Sequence, residues 1–112
     1  MINYNNKSFR PISSSENSKT TSDTVFPYKQ NGNILTSTYK GGHIIEGHLI
    51  GLVDHDGTIN MRYHQINDTG ELTAGICTSK PEIDSDGKIK IYESWEWISG
   101  DKSKGVSVLK EL

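Results

Sequence analysis

A chain of 112 residues has room for one core, because two would leave each half too small to offset its ordering entropy, so a single domain over residues 1–112 is expected. Hydrophobic residues make up 32% and charged residues 23%, mixed in sign to a net charge of −2, which leaves no basic stripe for a phosphate backbone and excludes nucleic acid as a partner. One cysteine, Cys77, excludes an internal disulfide or a multi-cysteine zinc site, and neither a signal-like apolar run in Met1 to Arg10 nor the roughly 20 apolar residues of a membrane span is present, so a cytoplasmic protein without a membrane partner is expected.

In chain order, the first candidate strand covers about Ile2 to Ile12. Ser13 to Ser22 is almost entirely Ser, Thr, Asn, Glu, Lys and Asp, which bury nothing and offer the backbone local side-chain hydrogen bonds, so a polar flexible loop is expected there. A second strand follows at Thr24 to Gln30. From there Asn31-Gly32, Gly41-Gly42, Asp56-Gly57, Asp68-Thr69-Gly70, Asp86-Gly87 and Ser99-Gly100 recur as tight-turn signals. The segments between them favour strand formers and lack a 3.6-residue apolar period, which predicts strands at Ile34 to Lys40, Ile44 to Val53, Thr58 to Ile66, Leu72 to Ser79, Lys88 to Ile98 and Val106 to Leu112. Nothing reads as a helix. Eight strands in hairpin succession bury one face each and lose their open edges by closing, so the fold class is all-β, an antiparallel up-and-down meander closing into a barrel of about eight strands. A two-sheet sandwich is the alternative.

Alternation then selects what the interior receives. In the fourth strand Ile45, Gly47, Leu49, Gly51 and Val53 are apolar or glycine, while Ile44, Glu46, His48, Ile50 and Leu52 carry an acid and a histidine, so the first set is expected inside. In the fifth, Ile59, Met61, Tyr63 and Gln65 oppose Asn60, Arg62, His64 and Ile66. Both choices share one face if Asp54 to Gly57 turns as a three-residue loop with Gly57 left-handed, pairing Val53 with Ile59 and Leu49 with Tyr63. A slip of one residue would bring Glu46 and His48 inside instead. In the seventh strand Ile89, Ile91, Glu93, Trp95 and Trp97 share a face, which puts a carboxylate among tryptophans, where it must be paired, hydrated or protonated.

Tyr63, Gln65, Glu93, Trp95 and Trp97 are therefore the candidate ligand-binding residues, with aromatic walls to hold a small molecule and polar groups to orient it. The same carboxylate could instead serve only to satisfy interior polar groups, or act as a general acid or base. His43, His48, His55 and His64 have no spacing that gathers them on one ion, and no metal or other cofactor is expected. Cys77 has no neighbouring cation in sequence to lower its pKa and reads as a packed thiol. The loop Ser99 to Gly105 reads as an ordinary solvated hairpin loop, able at most to hold a small anion weakly. Ile44, Ile50 and Leu52 form a second apolar face through which the chain could self-associate as a homo-oligomer.

Gly47-His48-Leu49-Ile50-Gly51-Leu52-Val53, Asn60-Met61-Arg62-Tyr63-His64-Gln65 and Ser99-Gly100-Asp101-Lys102-Ser103-Lys104-Gly105 resemble a group of short bacterial proteins often labelled N-acetylglutamate synthase. That resemblance implies an acetyltransferase moving acetyl from acetyl-coenzyme A to glutamate, with no catalytic motif to carry over. The meander and the run Trp95-Glu96-Trp97-Ile98-Ser99-Gly100 also resemble barrels of the avidin and lipocalin kind, whose interiors hold small apolar or cyclic ligands. This second resemblance implies a small soluble binding barrel rather than an enzyme.

Overall fold

The structure is a computed structural model that describes residues 2–15, 20–100 and 102–112. Its strands are β1 (Lys7–Ser14), β2 (Phe26–Asn31), β3 (Ile34–Gly41), β4 (Ile44–Val53), β5 (Ile59–Asn67), β6 (Leu72–Ile83), β7 (Ile89–Trp97) and β8 (Lys104–Glu111). Each pairs antiparallel with the next, and β8 returns to β1 to close a barrel, so no sandwich forms. Burial alternates along the strands as a one-sided sheet requires: Leu35, Ser37 and Tyr39 of β3 are buried while Ile34, Thr36 and Thr38 are exposed.

Three of the hairpins use one device. The side-chain Oδ1 of Asp54 accepts the Asp56 and Thr58 amides at 3.1 and 3.0 Å. Asn67 Oδ1 does the same for Thr69 and Glu71 at 3.1 and 3.0 Å, and Asp84 Oδ1 for Asp86 and Lys88 at 3.2 and 3.0 Å. Each loop then closes through a glycine at positive φ, 88° at Gly57, which an L side chain rarely adopts. With Asp54 N donating to Thr58 O at 3.0 Å, the β4–β5 loop is odd in length and pairs Val53 with Ile59 and Leu49 with Tyr63. Glu46 and His48 consequently lie outside, hydrogen-bonded to each other at 2.8 Å.

The sequence expectation fails in several places, the simplest being β6, which runs on past Ser79 to Ile83. Ile44 is buried and Ile45 exposed, the reverse of the strict alternation, because a bulge between Ile44 and Glu46 inserts one residue against β5 and flips the side chains before it. The outward apolar strip is accordingly Ile34, Ile50 and Leu52, without Ile44, with Ile34 directly opposite Leu52. Residues 2–6 are not strand: Asn6 turns at φ 62°, and the preceding segment folds across the barrel end. There Tyr4, fully buried, donates its hydroxyl to the Gly57 carbonyl at 2.6 Å and packs against Phe9 and Tyr28, plugging the end formed by the three-residue loops at Asp54 and Asp84. Finally, Ser13 and Ser14 belong to β1, opposite Val108 and Ser107, rather than to the polar loop. Thr24, expected in the second strand, lies in the β1–β2 connection ahead of β2, where its Oγ1 donates to the Gly41 carbonyl at 3.0 Å and ties the connection to the β3–β4 turn; residues 16–19 of the polar loop lie outside the described residues.

The strand glycines have a packing role. Tyr39 lies over Gly47 on β4, Tyr63 over Gly75 on β6, and Trp95 over Gly105 on β8, so that a Cβ at any of the three would overlap the ring. Each interior ring occupies the place on a neighbouring strand where a side chain is missing. Gly105→Ala is expected to destabilise the protein by about 1–3 kcal/mol through overpacking against Trp95. A lowered denaturation midpoint with unchanged slope in urea checks this, and a variant as stable as the parent would show that Trp95 does not occupy that place.

Candidate functional site

Away from the Tyr4 plug the interior is less completely filled. A cavity with about 50 Å³ of water-accessible space lies between Leu49 and Met61 on one side and Glu93, Trp95 and Ser107 on the other. Tyr63, Gln65 and Trp97 line it toward the end opposite Tyr4, together with Phe26, Tyr39 and Cys77, and Thr20 of the β1–β2 connection completes that lining. All five residues singled out from the sequence thus border one space. Two strands supply them, Tyr63 and Gln65 from β5 and the rest from β7, and β6 lies between with Gly75, Cys77 and Ser79 turned inward.

The aromatic rings brace one another. Trp97 meets Tyr63 edge to face at a centroid distance of 5.4 Å and Trp95 at 5.9 Å, while Phe26 and Tyr39 stack at 4.5 Å. Trp95 Nε1 donates to Ser107 Oγ at 3.0 Å, which fixes the indole and uses its only polar atom. Tyr39 donates its hydroxyl to Gln65 Oε1 at 2.9 Å, and the amide nitrogen of Gln65 is buried and has no partner among the described residues. An unmatched buried amide of this kind costs about 1–3 kcal/mol.

Glu93 is the acid of this site. Its cross-strand neighbours are the serines Ser79 and Ser107, small enough to leave room around the carboxyl, and Ser79 Oγ lies 3.5 Å from Glu93 Oε2. No ion pair reaches it among the described residues. Glu93 is half-buried and belongs to the cavity lining. Burial therefore pushes its pKa up to about 7, with hydrogen bonds from Ser79 and Cys77 offsetting part of the rise. Cys77, which the sequence places on an interior strand face without connecting it to the other five, sits beside them: burial and then the Glu93 charge raise its thiol well above the ordinary range, so it is inert as a nucleophile. Burial likewise raises Tyr39 and Tyr63.

Phe26 and Tyr39 are members that sequence reasoning missed. Their signal was local, since Phe26 alternates with Tyr28 and Tyr39 with Leu35 and Ser37, but which strands face the same cavity depends on closure. The histidines lie elsewhere: His43 pairs with Asp68 at 2.9 Å on the surface, and His48 and His64 stack outside the barrel. Among the described residues no group of His, Cys, Asp and Glu is placed to hold a metal ion. Nor is there a helix among them, so the strand-to-helix junction that would seat a coenzyme pyrophosphate is not found, and nothing supports acetyl transfer.

Because the folded state holds the Glu93 proton more tightly than the unfolded state does, its contribution to stability is fully present below about pH 4.5 and is lost as pH rises toward 7. Glu93→Gln, which keeps the shape and removes the charge, is expected to be more stable than the parent above pH 7 by about 2–3 kcal/mol, with the difference shrinking toward pH 5. Urea unfolding of both proteins at pH 5 and pH 8 reads this directly, and a constant difference would mean that Glu93 does not titrate inside the barrel.

A model of the avidin-like protein family matches residues 2–112. Searches of the curated proteins and of the solved structures return no match. With an eight-stranded antiparallel barrel, an interior bordered by braced aromatic rings and a family match over nearly its full length, the chain belongs to the avidin-like protein family.

Proposed function

We propose that the protein binds a small molecule in the cavity beside Glu93 and performs no chemistry on it. The observation that carries this reading is the unfilled space itself, bordered by five aromatic side chains and by two polar groups with unused hydrogen-bonding capacity, the Gln65 amide nitrogen and the Glu93 carboxyl. Protein interiors are ordinarily close-packed, and a purely structural barrel of this composition would gain by closing the gap. Membership of the avidin-like family supports an interior site for a small ligand.

In this reading the roles divide by chemistry. Trp95, Trp97 and Tyr63 supply apolar contact area at low entropic cost, because the ring contacts already fix them. The Gln65 amide donates to an acceptor on the ligand and is relieved of its unmatched burial. Glu93 orients a donor. The space is well below the 300–1,000 Å³ of sites for drug-sized compounds, so the ligand is of fragment size.

The test is a titration of small cyclic and branched fragments into protein labelled with nitrogen-15. Binding ligands are expected to move the indole N–H signals of Trp95 and Trp97 and to leave the outward His48 and His64 unmoved. Leu49→Phe, which fills the space, is expected to weaken them by about tenfold or more, a loss of about 1.4 kcal/mol. Shifts confined to the outer face, or undiminished binding in a folded Leu49→Phe variant, would contradict an interior site.

A further inference from the structure

The cavity lining carries one acid and no base: Glu93 is there, and every lysine, arginine and histidine of the described residues lies outside it. A second inward acid at the plugged end, Glu111, differs in this respect, because Lys7 and Lys88 lie 3.4 and 4.0 Å from its carboxylate. Glu93 thus has a charge with no countercharge, held among Phe26, Tyr39, Tyr63, Trp95 and Trp97. A ring face is electron-rich and attracts cations, most strongly where water is excluded. An anion entering this space would meet neither a cation nor a polarised helix end; the Gln65 amide is a donor for it, but a neutral one, and the Glu93 carboxylate repels it. A cation would meet both of the features that attract it.

We propose that the ligand of this cavity is a small organic cation, an ammonium or amidinium, whose charge is met by the Glu93 carboxylate and the surrounding aromatic rings. The proposal rests on the interior-binding reading and names the class of ligand for it. The unpartnered Gln65 amide adds a second requirement, an acceptor atom on the same ligand or on a water that accompanies it. The cavity admits only a compact head group.

The groups that face Glu93 decide how pH enters. They are Ser79 and Cys77 on β6, Ser107 on β8, Tyr28 on β2, Tyr39 on β3 and Tyr63 on β5. Burial keeps Cys77 and the three tyrosines protonated throughout the neutral range, so Glu93 is the group of this set that changes charge there, near pH 7. A cation then binds the ionised form and displaces the carboxyl proton, and its affinity rises with pH. Between pH 6 and pH 8 the ionised fraction grows about tenfold.

Three probes of one branched shape separate the possibilities: tetramethylammonium as cation, tert-butanol as neutral molecule and pivalate as anion. Each is titrated into the full chain at pH 6 and pH 8, with the Trp95 and Trp97 indole signals as readout. The expected order at pH 8 is tetramethylammonium tighter than tert-butanol by about tenfold or more, and pivalate without effect, with the preference for the cation falling by about tenfold at pH 6. Glu93→Gln is expected to keep binding tert-butanol while losing both the preference and its pH dependence. If tert-butanol binds as tightly as tetramethylammonium at pH 8, the cation class is wrong and the interior site stands. If neither these probes nor the wider fragment set moves the indole signals, the interior site falls with it.

Discussion

The Asp54 carboxylate accepts the amides of Asp56 and Thr58, and by doing so holds the β4–β5 hairpin to an odd-length loop. Side chains alternate along a strand, so the parity of this one loop determines which half of each strand's residues the barrel encloses. With the odd loop, Leu49 meets Tyr63 and both point inward, while His48 meets His64 outside. An even loop would have placed Glu46 and His48 against Gln65, adding charges to the interior and filling the space beside Glu93. The cavity and its single acid both follow from a turn that lies at the other end of the barrel.

Closure then converts separate strand faces into one site. Glu93 is surrounded by small neighbours because β6 and β8 present Ser79 and Ser107 across from it, and the large rings find their room over Gly47, Gly75 and Gly105. Strand glycines ordinarily weaken a sheet; here the rings that cover them restore packing and fix the walls of the cavity. The two ends of the barrel divide the work. Tyr4, Phe9 and Tyr28 fill one end with a tilted aromatic cluster, and the other retains space.

Much of this is legible in the residues, and the reason is the period of two. A face such as Ile89, Ile91, Glu93, Trp95 and Trp97 can be recognised without knowing its neighbours, and the glycine-bearing turns mark where each strand ends. What escapes is whatever breaks the period or depends on a distant strand. The bulge near Ile44 exchanges it with Ile45, and no composition signal distinguishes one isoleucine from the next. The first residues look like a strand by composition, yet the turn at Asn6 sends Tyr4 across the barrel end, where the Gly57 carbonyl accepts its hydroxyl. Cys77, Phe26 and Tyr39 each show the right parity locally, and only the closed barrel brings them to the same space as Glu93.

The central claim is that Glu93 is held inside the barrel beside a cavity, with no cation among the described residues to stabilise its charge. Its side-chain carboxyl carbon, labelled with carbon-13 and followed through a pH titration, measures this without any variant or ligand. The account predicts a midpoint near 7. A midpoint near the ordinary glutamate value of about 4.3 would place the carboxyl in solvent, and would mean that the register of β7, and with it the site, is not the one described.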